Sequence, residues 1–179
     1  MLQGLFFGLF FPAGVGLAWR LATTTGLETQ VLLLATLLLS VEQARAATVD
    51  LQNIGQVVTA LDDDRLPPFR RLTWVVIGLE LLGFYTASLN LGWGMLIVLV
   101  SQVLFNGFAQ IALFPQAVDK IKPWGAAERR PVLMANLVGL LLASAWALGT
   151  GRLFCAIALL LIVLTYLIIK YTSAFGQPA

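Results

Sequence analysis

One acidic residue, Glu80, stands deep inside a long apolar segment of a chain that contains no histidine. An ionised carboxylate near the centre of a bilayer costs about 2.5–3.5 kcal/mol on insertion scales, so such a residue turns toward the interior of a helix bundle and commonly has a role there. Gly83 and Ala87 follow it by one and two helical turns and Thr73 precedes it by two, which places it on a small-residue face. In the next apolar segment Gln102, Asn106 and Gln110 recur at every fourth position and form one polar stripe. If the two segments fold back about Asn90 and Leu91, Glu80 stands level with Ser101 and Gln102, with Asn106 one turn beyond. An amide donates to a carboxylate or accepts from a protonated one, and Asn136 in the following segment extends the network. Two readings fit these residues. One is a polar pocket for a proton, an ion or a small molecule; the other is a clamp in which a neutral Glu80 and the amides hold helices together.

Other chemistry is poorly supplied. Without histidine the commonest metal ligand and the commonest general base at neutral pH are missing, and the lone Cys155 has no partner for an intrachain disulfide. Asp62-Asp63-Asp64 has the oxygen ligands that magnesium takes, but the metal-dependent prenyl- and phosphatidyl-transferring enzymes need a second acidic cluster, and the chain has none. A solvated, helix-breaking turn is the expectation there, and no metal site. No glycine-rich phosphate loop and no GxSxG occurs, no cofactor is specified, and a non-enzymatic protein is expected.

The elements that position these residues are membrane spans. Hydrophobic residues make up 59% of the 179 and charged ones only 11%, against about a quarter charged in soluble domains. An all-α, polytopic membrane protein is predicted, with residues 1–179 as one domain and six spans: 3–19, 28–47, 72–90, 92–114, 131–149 and 153–171. Ala47, Leu51, Ile54, Val58 and Leu61 recur at alternating spacings of four and three, which predicts one cytoplasmic amphipathic helix between spans two and three, lying on the surface or extending span two. Glu42, Gln43 and Arg45 mark where span two emerges, and Pro115 is expected to stop span four. Trp19, Trp74, Trp93 and Trp146 sit at span ends as interfacial rings, with Trp124 dipping toward the headgroups.

All but two of the eleven basic residues fall in the loops after spans two and four or at the end of span six; Arg20 and Arg152 are the exceptions. Lys and Arg resist translocation, so both termini are expected in the cytoplasm, with a bacterial inner membrane, or one derived from it, as the location. The same charges carry no implication of nucleic-acid binding. Gly4, Gly8, Pro12 and Gly16 repeat every fourth residue, as do Ala135, Gly139, Ala143 and Ala147, and small residues let helices approach closely in lipid. These stripes, with the bilayer and other membrane subunits as partners, favour a non-catalytic subunit or assembly protein of a larger membrane complex. The alternative is a substrate-capturing protein for transport of a small molecule or ion, with its site around Glu80, Gln102 and Asn106. In dimensions alone, six spans in about 180 residues with a small-residue first helix, the chain is similar to the substrate-binding subunits of energy-coupling-factor vitamin transporters. That likeness carries over no residue.

Overall fold

The computed structural model describes residues 2–115 and 120–175, with side chains described between 8 and 172 of these. Among the described residues there are six helices, α1 (Leu2–Thr23), α2 (Leu27–Ala60), α3 (Leu66–Leu89), α4 (Leu91–Phe108), α5 (Ala126–Ala147) and α6 (Arg152–Phe175). A short hairpin, β1 (Ile111–Leu113) and β2 (Ile121–Pro123), joins α4 to α5. Helices α2 to α6 are each long and apolar enough to cross a membrane. Each of α1 to α6 packs on two or more others, closing a ring in the order α1, α3, α4, α5, α6, α2, with α2 also against α3. Because α2 and α5 do not pack on each other, space is left between them.

Residues 47–60 form no separate helix but continue α2, the second of the two arrangements expected for the amphipathic segment. No Gly or Pro interrupts the chain from Leu27 to Ile54, so α2 runs on unbroken for 34 residues. At 1.5 Å per residue that is about 51 Å, against roughly 30 Å of hydrocarbon, and its last turns extend span two. The buried residues there are Ile54 and Val57, whereas Val58 and Leu61 are exposed. They pack with Leu66 and Phe69 of α3 and with Ala109 and Ile111 into a second small core, distinct from the main one.

Helix α4 stops at Phe108, six residues short of the expected Phe114. Arg129 of α5 satisfies its terminal carbonyls, donating to Gly107 at 2.8 Å and Asn106 at 3.4 Å. The chain then pairs antiparallel, Ile111 opposite Pro123 and Leu113 opposite Ile121. Trp124 is half-buried; its ring packs 6.3 Å from that of Phe105, and its backbone N–H donates to the Gln110 carbonyl. Trp146 is buried, beneath the Arg152 guanidinium, whereas Trp19, Trp74 and Trp93 are exposed as expected.

Small residues set the close helix contacts, though not all those expected. Gly8 faces open space, because α1 buries Phe10, Ala13 and Leu17 instead; Gly16 does meet Ser88 of α3. The side-chain surroundings of Gly4 lie outside the described residues. On α5, Gly139 and Ala143 are buried and Ala135 is half-buried, with Gly139 facing Leu99 of α4 and Leu159 of α6. The tightest approach is between α3 and α4, where a Cβ on Gly94 would overlap the Ala87 backbone and one on Gly83 would lie 2.6 Å from Val98. Asn90 closes α3 and caps α4, its side chain accepting from the Trp93 N–H at 3.3 Å. Pro12 lacks the N–H that would bond inside α1, and the Tyr85 hydroxyl donates to the neighbouring Leu9 carbonyl at 3.1 Å.

Candidate functional site

Glu80 lies on the buried face of α3, with Thr73, Ile77, Phe84 and Ala87 at helical spacings along it, and is itself only 3% exposed. Gln102 of α4 donates a hydrogen bond to its Oε1. The tight α3–α4 hairpin sets that register. Asn106 is buried one turn on, but its amide donates to the Gln102 carbonyl of its own helix at 2.8 Å and not to Glu80. Gln110 falls outside the site. The stripe assumed a helix continuing through residue 110, and the end of α4 at Phe108 leaves Gln110 exposed before β1.

These side chains border a cavity of about 520 Å³ that also receives residues the sequence did not single out. Gln43, Ala47 and Asp50 lie at helical spacing on one face of α2 and line it. Tyr166 and Lys170 enter from α6 and Trp124 from the hairpin. Gln43 is buried and makes no side-chain hydrogen bond among the described residues. Asp50 is half-buried, accepts no hydrogen bond there, and is within electrostatic reach of Glu80, Lys170 and Arg45. Glu80 therefore shares its surroundings with a second carboxyl. The signal was present in Gln43 and Asp50, seven residues apart, but was masked by ending span two at Ala47.

Beside the cavity, Glu42 ties α2 to α6. It accepts from Arg45 at 2.8 and 3.0 Å, from Lys170 at 2.6 Å and from the Tyr171 hydroxyl at 2.9 Å. Lys170 also donates to the Tyr166 hydroxyl at 2.8 Å. Both cations are thus engaged with one buried carboxylate.

A second cavity, of about 480 Å³, occupies the space between α2, α4, α5 and α6. Asn136 faces this one and not Glu80, and its buried amide nitrogen has no hydrogen-bond partner among the described residues. The two spaces share Gln43, Gln102, Val132, Tyr166 and Ile169 as lining, so no more than one layer of side chains separates them.

The acidic turn is a different kind of feature. Arg65 donates to Asp63 through its guanidinium and its backbone N–H, at 2.7–3.3 Å, and this contact holds the Asp63 carboxyl at about 2, below its ordinary value of 3.8. Among the described residues no group of three His, Cys, Asp or Glu side chains is placed to hold a metal ion.

The fold and the site define a helical protein with several candidate membrane spans and, among them, a partly open cavity bordered by a few buried polar side chains. Comparison with protein-family models, curated proteins and solved structures gave no match.

Proposed function

We propose that the protein captures a small organic molecule within the membrane, in the cavity bordered by Glu80, Gln102 and Asn106, as a substrate-binding component of transport. One observation carries this reading: Glu80, Asn106 and the unbonded Gln43 are buried around an open volume of about 520 Å³. Ligand cavities are typically 300–1,000 Å³, mostly apolar, with a few convergent polar groups. A clamp alone needs Glu80 and Gln102 in contact; it gives no reason to bury Gln43 and place Asp50 around empty space. A purely structural subunit of a membrane complex leaves the same groups unexplained.

In this proposal the chain spans the membrane six times, and both termini and the cavity lie toward the cytoplasm of a bacterial inner membrane. The basic connections after α2 and α4, and Lys170 near the end of α6, belong to that end of the bundle.

Organic extraction of purified protein tests the reading. Wild-type protein and Glu80→Gln, which retains a hydrogen-bonding side chain for Gln102, should both stay folded. The wild type should release a small molecule that Glu80→Ala fails to retain. Equal small-molecule content in folded wild type, Glu80→Gln and Glu80→Ala would remove the basis of the proposal. A stoichiometric set of membrane subunits copurifying in its place would favour the structural role.

A further inference from the structure

We infer that the captured molecule is an uncharged lipophile bearing a neutral oxygen, a carbonyl or a hydroxyl. It reaches from the Glu80 cavity into the second one and is held there by the carboxamides of Gln43 and Asn136. The inference rests on the small-molecule capture proposed above and names the class of molecule. Its first support is the lining of the second cavity. Leu39, Met95, Leu99, Leu159 and Val163 wall much of it, and none of the described residues that line it is charged. A charged group placed there would lose its water and find no counter-ion. The Glu80 cavity does not favour either sign of charge, since Arg45 and Lys170 line it together with Asp50.

Besides the hydroxyls of Thr165 and Tyr166, the polar groups of the second cavity are carboxamides from three helices: Gln43 of α2, Gln102 of α4 and Asn136 of α5. Gln102 is turned by its bond to Glu80. Gln43 is buried, and neither it nor Asn136 makes a side-chain hydrogen bond among the described residues. A carboxamide carries N–H and C=O on one planar end, so a half-turn of that end exchanges donor for acceptor. Either oxygen function on the ligand can therefore be paired. A hydrocarbon of the same shape would leave both amides without a partner, which is costly out of water.

The position of the opening supports a lipophile independently. Pro131 of α5 and Leu161, Thr165 and Ile169 of α6 line the second cavity and are also exposed, so it reaches the surface between those two helices. Both helices are long and apolar enough to cross a membrane. In the proposed topology that surface is lipid, from which an uncharged lipophile enters without passing through water.

Photolabelling in lipid nanodiscs tests this with benzophenone, itself an uncharged lipophilic ketone. In the wild type the label should map to α5 and α6 around Gly139, Leu159 and Val163. At equal concentration in the bilayer, fluorenone should compete at least tenfold better than fluorene, which has nearly its shape but no carbonyl. Fluorenone carrying a carboxylate or an alkylammonium group should compete at least tenfold worse than fluorenone. In Gln43→Leu/Asn136→Leu the cavity remains, so labelling should persist while the advantage of fluorenone over fluorene falls below twofold. A Cβ on Gly139 would lie 3.2 Å from Leu99 and 3.7 Å from Leu159, so Gly139→Leu should fill the space and reduce labelling at least tenfold. Elution and circular dichroism check the fold of each variant. Labelling scattered over the lipid-facing surface, equal competition by fluorene, or a ketone preference that survives in the double variant would overturn the inference. If extraction of the wild type releases a charged molecule, the capture reading stands and this inference falls. The capture reading fails separately, when extraction releases nothing.

Discussion

Replacing Glu42 with alanine should loosen α6 from α2, and the structure sets the size of the effect. The Glu42 side chain is 2% exposed and accepts from Arg45, Lys170 and Tyr171. Breaking a fully buried ion pair by removing one partner costs about 3–5 kcal/mol, because the other charge is left unpaired out of water. Here the surviving cations are not fully buried, since the Arg45 and Lys170 side chains are 44% and 33% exposed and can rehydrate. The expected cost of Glu42→Ala is therefore about 2–3 kcal/mol. Lys170→Ala leaves Glu42 with Arg45 and Tyr171 and should cost only about 1 kcal/mol. In a double-mutant cycle, read by unfolding in mixed micelles with rising sodium dodecyl sulfate, the pair should show a coupling of about 1 kcal/mol. Because Tyr166 and Lys170 also line the polar cavity, Glu42→Ala should weaken ligand retention along with stability. Additivity of the two substitutions within about 0.3–0.5 kcal/mol would show that Glu42 and Lys170 are not coupled, and the tie between α2 and α6 would be refuted.

In the same unfolding assay, Gly94→Ala should destabilise by about 1–2 kcal/mol, the overpacking against Ala87 exceeding the roughly 1 kcal/mol gain in helix propensity. Gly8→Leu, facing open space and gaining helix propensity, should not destabilise; the reverse order of the two would disprove the α3–α4 contact. Asp63 has its folded-state value lowered to about 2 from 3.8, so its stabilising contact is complete above pH 3.8 and is lost as the pH falls through 2. Asp63→Asn should flatten that part of the profile of melting temperature against pH, and coincident profiles would mean the contact with Arg65 contributes nothing. In a Cys155→Ser background, an impermeant maleimide added outside the cell should label Leu148→Cys, in the α5–α6 turn, and spare Leu61→Cys, after α2. Labelling of Leu61→Cys alone would invert the proposed orientation.

How much of this was legible depended on whether a feature was set locally. The α3–α4 hairpin follows from the short turn at Asn90, and counting back from it places Glu80 opposite Gln102, where the structure also has it. Gln110 was misplaced because hydropathy continues through Ile111-Ala112-Leu113-Phe114, an apolar run that serves a buried strand as well as a helix. Its true role depends on Ile111 packing with Ile54, Val57 and Phe69, contacts from distant parts of the chain. In the sequence the polar groups of α2 have the pattern of a span's end, because charge normally ends a span. Glu42 stays buried only because Lys170 and Tyr171 arrive from α6, nearly 130 positions later. Fourfold glycine spacing identified a face of α1 but not what it meets, since spacing reports which residues share a side and nothing about the neighbour. The cavities were beyond reach for a similar reason: each is bordered by side chains from four helices or more, and no spacing within one segment reports such a meeting.

The most direct test is native mass spectrometry of the wild-type protein released from nanodiscs made with the membrane's own lipids. One small molecule should be bound per wild-type chain and absent from Glu80→Ala. A wild-type chain that emerges bare under conditions that keep it folded, or that carries the same adduct in Glu80→Ala, would contradict it.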